Sequence, residues 1–463
     1  VKRRSVAGGV VLVWFVGAVL AAPVADEAMD EKGVPGMRAV RIEESVFDGR
    51  AMVYETGTHH ERSVLLVHGI GDSGARDYLK QIPWLAQNFH VIAVDLPGFG
   101  QSDKRNALYS PRNYVAFLKH VADRFAHRSF ILIGHSMGGV VALRYAATYP
   151  DDLERLVVVD AAGILHRYAY ASYQLDQFGT GTSFLPAPVN PARGIAGIVR
   201  KIMGHAETRN LVPATVLQTA TTRQRYLGGD PIRIAALAMA ADDLSQDVQQ
   251  IATETLLVWG RKDTLAPLRT GKLLAQVLPH ARLSVIDDAG HEPMIQTPEA
   301  LRAIVEPFLL QGLEASPAPP AVTLPKHGVV TCRQKRQLVY EGEYDTLMLT
   351  NCHDILIRNA RVRALIMEDS SARIEDSQVG GGEVGMKLRS TIVEMTGGRI
   401  DGDVAIVATA SRLDLAGVTV EAKQAVVQAP ASSEIVFSMS QVRSPKLNGT
   451  AHAFYALEDG GAL

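Results

Sequence analysis

Ile131-Leu132-Ile133-Gly134-His135-Ser136-Met137-Gly138-Gly139 is the stretch that decides the fold. Three apolar residues run into Gly-x-Ser-x-Gly, and the alanine-rich segment behind it has helical spacing. A serine on a sharp strand-to-helix turn leaves no room for side chains two positions to either side, so glycines stand there. The helix that begins at such a turn aims its first N–H groups and the positive end of its dipole at a developing oxyanion. The pattern alone is weak, because short motifs recur by chance. It gains force only if the chain also supplies a base, an acid and a second oxyanion donor.

All three are present, in an order that suits them. Asp263 closes Leu256-Leu-Val-Trp-Gly-Arg-Lys-Asp263, and His291 closes Asp288-Ala-Gly-His291. Each lies just past a β-rich run, where loops at the carboxyl ends of parallel strands build active sites. Upstream, Val64-Leu-Leu-Val-His-Gly-Ile-Gly71 reads as a buried strand whose loop offers the backbone N–H of Ile70, with that of Met137 as its partner. With Asp95-Leu-Pro-Gly-Phe-Gly-Gln-Ser-Asp103 and His291-Glu-Pro-Met-Ile-Gln-Thr-Pro-Glu299, roughly residues 38–312 resemble an α/β-hydrolase of the esterase and C–C hydrolase type. The resemblance implies a doubly wound, mostly parallel sheet, a helical cap at about 164–250, and Ser136, His291 and Asp263 as nucleophile, base and acid. Asp160 is a rival acid, since it ends the preceding strand. His68 and His135 read as structural neighbours of the site, because the mechanism needs one base.

The bulk properties agree with an enzyme of this kind. The 463 residues are too many for one ordinary domain, and 47% apolar against 21% charged residues allows a large core. A formal net charge of −2 gives no basic excess for nucleic acid. Lys2, Arg3 and Arg4 precede a charge-free run over residues 5–25, which reads as a secretory signal or an uncleaved membrane anchor (assigned as residues 1–25). Export to the periplasm or the exterior, with tethering to the inner membrane in the uncleaved case, is the expectation.

Along the chain, short β patterns at 38–46 and 51–55 precede strands at 63–67, 90–95, 155–160, 255–259 and 282–286. Helical patterns fall near 77–88, 111–126 and 298–310. Between 164 and 250 the alternation stops: helix-like runs such as 195–203 and 232–244 are broken by Gly and Pro around 179–194, and the segment carries Tyr168, Tyr170, Tyr173, Phe178 and Phe184, most of them read as packing residues. A proline-rich linker at 313–326 then gives way to a repeat domain at 327–463.

In that domain, five segments ending at Val362, Val379, Ile400, Val420 and Val442 repeat an apolar-x-apolar pattern at steps of 17, 21, 20 and 22 residues. A small parallel β-helix fits this period, and an antiparallel sandwich is the alternative. Cys332 and Cys352 stand 20 residues apart, one coil, so a disulfide is expected, against two buried free thiols.

The chemistry expected is hydrolysis of a small-molecule carboxylic ester through an acyl-enzyme, with no cofactor and no metal site. The alternatives are a C–C bond hydrolase of the meta-cleavage-product type, or a binding and scaffold protein that meets a protein or cell-envelope partner through the repeats. Glu375-Asp376 and similar acid pairs read as solvated faces.

Overall fold

In the computed structural model, residues 38–127, 129–170, 173, 212–313 and 324–463 are described. The 1–25 segment, most of the 313–326 linker, Phe178, Phe184 and the 195–203 run lie outside them. The chain divides into two compact units. One comprises residues up to Gly163, Arg209–Ala266 and His280–Leu313; the other comprises Ile164–Thr208, Pro267–Pro279 and Glu314–Leu463.

The first unit is built on eight strands: β1 Arg38–Glu44, β2 Gly49–Thr56, β3 Ser63–Val67, β4 His90–Asp95, β5 Phe130–His135, β6 Leu153–Val159, β7 Thr255–Gly260 and β8 Ala281–Ile286. Their order in the sheet is β1-β2-β4-β3-β5-β6-β7-β8. The pairs β1–β2 and β2–β4 are antiparallel, and all other neighbours are parallel. β3 to β7 are buried along nearly their whole length, as strands covered on both faces must be. One face packs Leu66, Ile133, Val159 and Val258 against Tyr78, Trp84 and Phe308. Opposite, helix α3 (Met137–Thr148) lies on β5 and β6.

Helix α2 (Pro111–Phe125) starts at Ser110, whose side chain accepts the Asn113 N–H, with Pro111 at the first helical position. The helix expected near 77–88 is instead a 3₁₀ turn at Gly74–Tyr78 and one turn of helix, α1 (Ile82–Leu85). Pro83 explains the break, since it has no N–H to continue a longer helix. In the cap region stand α4 (Val212–Leu217), α5 (Ala220–Leu227) and α6 (Pro231–Ala240). Helices α8 (Pro293–Gln296) and α9 (Pro298–Gln311) complete this unit.

Among the described residues, the second unit is all β from 324 onward, and it also includes helix α7 (Leu268–Val277). Its strands run from β9 (Val329–Arg333) to β23 (Gly461–Ala462), and nearly all pair in parallel with the next coil. Val362, Val379, Ile400, Val420 and Val442 stack as one buried ladder. A second ladder is Ile357, Ile374, Met395, Leu415 and Phe437. The parallel registry excludes the antiparallel sandwich, although β22 (Asn448–Leu457) and β23 close the end in antiparallel fashion. At the corners, serine hydroxyls accept a backbone N–H from the preceding coil: Ser370 from Cys352, Ser377 from Ala360 and Ser440 from Val418. Cys332 and Cys352 form a disulfide with Cα atoms 6.5 Å apart.

Candidate active site

β5 delivers the chain to Ser136, which caps α3 with φ 52° and ψ −117°. That conformation is strained for any residue with a Cβ, and its surroundings enforce it. A Cβ on Gly134 would stand 2.2 Å from the Gly138 carbonyl oxygen, and one on Gly138 would stand 2.3 Å from that of Val67. The glycines are there because the backbone of the elbow and the end of β3 occupy the space their side chains would fill.

The loops after β7 and β8 bring the other two groups in. His291 Nε2 lies 2.9 Å from Ser136 Oγ, and His291 Nδ1 lies 2.8 Å from Asp263 Oδ2. Asp263 is buried, and its Oδ1 also accepts the N–H groups of Leu265 and Ala266 at 2.8 and 2.9 Å. Three donors thus converge on this carboxylate, which fixes its rotamer. With the proton on Nδ1, Nε2 is left to accept from the serine hydroxyl. Gly260 permits this convergence, because a Cβ there would stand 2.0 Å from the Gly290 carbonyl oxygen.

The sequence-derived oxyanion donors sit at the mouth of the same elbow. Met137 is the first residue of α3, where backbone N–H groups lack helical acceptors. Ile70 follows Gly69, on which a Cβ would lie 2.9 Å from the Ser136 Cβ, so this loop abuts the serine. Among the described residues, neither N–H donates to a protein acceptor. His68 braces the loop: its Nε2 accepts the Leu96 N–H at 2.9 Å, and its Nδ1 donates to the Gly69 carbonyl at 2.6 Å.

His135 is fully buried and donates from Nε2 to the His291 carbonyl at 2.7 Å. Burial, and then the neighbouring His291, push its pKa down to about 3, so it is a neutral brace between the elbow and the loop that carries His291. Asp160, the rival acid, is not the partner of His291; its Oδ1 accepts the Gly260 N–H at 2.9 Å. Sequence reading missed the part played by Asp95. Its carboxylate accepts from Ala75 N, Gln101 N and Tyr54 Oη at 2.7, 2.8 and 3.0 Å, tying the loop after β4 to the oxyanion loop. The signal was present as an acid at a strand end, flanked by Gly74 and Gly100, whose Cβ positions its side chain would occupy. Among the described residues, no cluster of His, Cys, Asp and Glu is placed to hold a metal ion.

The model of the alpha/beta hydrolase fold matches residues 62–298, just over half of the chain. The chain belongs to the alpha/beta hydrolase family. Among its curated relatives is an uncharacterized protein of Mycobacterium tuberculosis, 30% identical over 271 residues that cover 53% of this chain and 75% of the other. The 2-hydroxy-6-oxo-2,4-heptadienoate hydrolase of Pseudomonas putida is 29% identical over 260 residues, 53% of this chain and 88% of its own. Lipase 1 of Psychrobacter immobilis is 28% identical over 255 residues, 54% and 77% respectively. This alpha/beta hydrolase is therefore an enzyme of hydrolysis acting on small molecules, with relatives on both the ester and the C–C side of the family.

Proposed function

We propose that the protein is an exported serine hydrolase that cleaves carboxylic esters through Ser136, His291 and Asp263. The observation that carries this reading is the imidazole of His291, which bridges the serine hydroxyl at 2.9 Å and the carboxylate at 2.8 Å. His291 takes the proton of Ser136 as the oxygen attacks the ester carbonyl, and Asp263 stabilises the imidazolium that results. The N–H groups of Ile70 and Met137 receive the oxyanion. The imidazolium then protonates the leaving alcohol, and water, deprotonated by the same imidazole, releases the acid from the acyl-enzyme.

The test is the hydrolysis of p-nitrophenyl esters of graded chain length. Ser136→Ala is expected to lower kcat by on the order of 10³-fold or more while leaving the thermal midpoint near that of the parent. Undiminished turnover by that variant would end the reading.

A second reading, C–C hydrolysis of a vinylogous diketone, is favoured by the likeness to the Pseudomonas putida hydrolase and uses the same three groups. It is separated by comparing turnover of a ring-fission product with that of the esters. Export rests on the basic-then-apolar run at 2–25, and a Cys332–Cys352 bond suits an oxidising compartment. The same run, uncleaved, would anchor the enzyme to the inner membrane. A binding role for the repeat unit, towards a protein or cell-envelope partner, has support in a cleft of about 480 Å³ lined by Lys326, Arg361, Arg363, Arg399, Glu343 and Asp401.

A further inference from the structure

Asp160 is a wholly buried carboxyl that the chemistry above does not use. It follows β6 directly and adopts φ 44°, a left-handed conformation that costs a non-glycine residue free energy. Its own N–H donates to the Val258 carbonyl at 3.1 Å, and its Oδ1 accepts the Gly260 N–H at 2.9 Å, so the side chain lies along the end of β7. Asp263 is three residues further on. The two carboxyls therefore stand at the ends of neighbouring parallel strands, both out of water.

Two buried carboxylates side by side cannot both stay ionised, and the donor inventory decides which one does. Asp263 receives two backbone N–H groups and the imidazole N–H. Asp160 receives one backbone N–H, and no donor among the described residues reaches its buried Oδ2. A bare anionic oxygen in that position would be strongly disfavoured, whereas an O–H there has an anion beside it to donate to. The electrostatics point the same way. Burial raises the Asp160 carboxyl well above the usual carboxylate range, the charge of Asp263 and a side-chain interaction with it raise it further, and the Gly260 N–H only partly opposes this.

We propose that Asp160 and Asp263 form a carboxyl pair holding one proton, with Asp160 as its neutral member and as a positioning residue for the catalytic acid. From this place Asp160 pins the Gly260 turn through Oδ1 and offers its O–H to Asp263, which keeps the carboxylate turned towards His291. The pair carries a single negative charge, so the imidazole meets one countercharge and not two. The inference rests on the hydrolase reading for its catalytic consequence, but not for its protonation state.

The experiment uses the full chain with Asp160→Asn and Asp160→Ala, beside Ser136→Ala. Infrared difference spectra of parent against Asp160→Asn, at neutral pH and in heavy water, are expected to show a deuterium-sensitive neutral carboxylic-acid band that the variant lacks. An identical band in both proteins, or none in the parent, would overturn the proposal whatever the enzyme's substrate. In ester turnover, Asn keeps the Oδ1 acceptor and a donor, so kcat is expected within about threefold of the parent, with the acid limb of the pH profile unmoved. Alanine is expected to lower kcat by about 10- to 100-fold with KM changed far less, a loss that Asn rescues. An acid limb shifted by about one pH unit or more to lower pH in Asp160→Asn would mean that a negative charge had been removed, and so would overturn neutrality. Equal kcat for Ala and parent would overturn the positioning role. Failure of the parent to turn over any ester would instead count against the hydrolase reading, and the infrared result would still judge the pair.

Discussion

At the scale of single residues, the site depends on two bracing histidines as much as on Ser136, Asp263 and His291. His68 and His135 both hold backbone loops, and only His291 stands on the serine. His135 has a consequence for stability that is independent of catalysis. Burial first, and then His291 and His68, hold its pKa down to about 3 in the folded protein, against about 6.5 in an unfolded chain. Between those values the unfolded state binds the extra proton, so stability rises with pH across that window and is lost as pH falls below about 6.5. The slope from this one group approaches about 1.4 kcal/mol per pH unit. His135→Gln keeps an N–H for the His291 carbonyl and cannot titrate. Denaturant midpoints measured from pH 7.5 downwards are expected to fall less steeply for that variant than for the parent, and parallel curves would refute the account.

At the scale of elements, what was legible was what repeats or what packs. β3 to β8 are apolar runs bounded by turn residues, and their positions follow the sequence to within a residue or two. The coil ladder was legible because Val362, Val379, Ile400, Val420 and Val442 recur at a period set by the stack itself. The one-turn α1 was not, since apolar spacing over 77–88 suits a helix and only Pro83 argues against it. The serines at the coil corners were hidden for another reason: each satisfies a donor one coil away, a pairing that exists only after the strands have stacked. Close backbone approach was likewise invisible beyond the elbow. Gly260 reads as an ordinary strand-end glycine, yet it is where the loops that carry Asp263 and His291 meet. Gly260→Ala is expected to cost kcat more than tenfold and to lower the thermal midpoint, because a misplacement near 1 Å is enough to cost on the order of 100-fold. Gly382→Ala, with no atom within 4 Å of the added carbon, is the matched control and should change neither.

At the scale of the whole molecule, the boundary between units does not follow the boundary drawn from the sequence. Helix α7 comes from the middle of the hydrolase-like stretch, between β7 and β8, yet it groups with the repeat unit. The chemistry of its buried face explains why. Arg269, 8% exposed, donates to both Asp414 oxygens at 2.8 and 3.0 Å and lies 3.1 Å from Glu394, while Lys272 reaches Glu375 at 2.6 Å. A basic helix face reads as solvated in sequence, because the acids it meets lie more than a hundred residues away. The hydrolase-like stretch therefore contains residues whose partners belong to the repeats, and a chain cut after Leu313 would leave Arg269 buried-face side without its carboxylates. Breaking this pair from one side tests the point in the intact chain. Arg269→Met strands the Asp414 carboxylate, which is only 10% exposed, and a buried unpaired charge costs about 3–5 kcal/mol. Replacing both partners with apolar residues of like volume removes the charge as well, and such swaps are often neutral or stabilising. Thermal unfolding of the full chain should therefore show a large drop in midpoint for Arg269→Met and recovery of most of it in Arg269→Met/Asp414→Leu. Equal losses in the single and double variants would mean that the helix is held by its apolar contacts, such as Leu273 against the backbone at Gly417, and not by the ion pair.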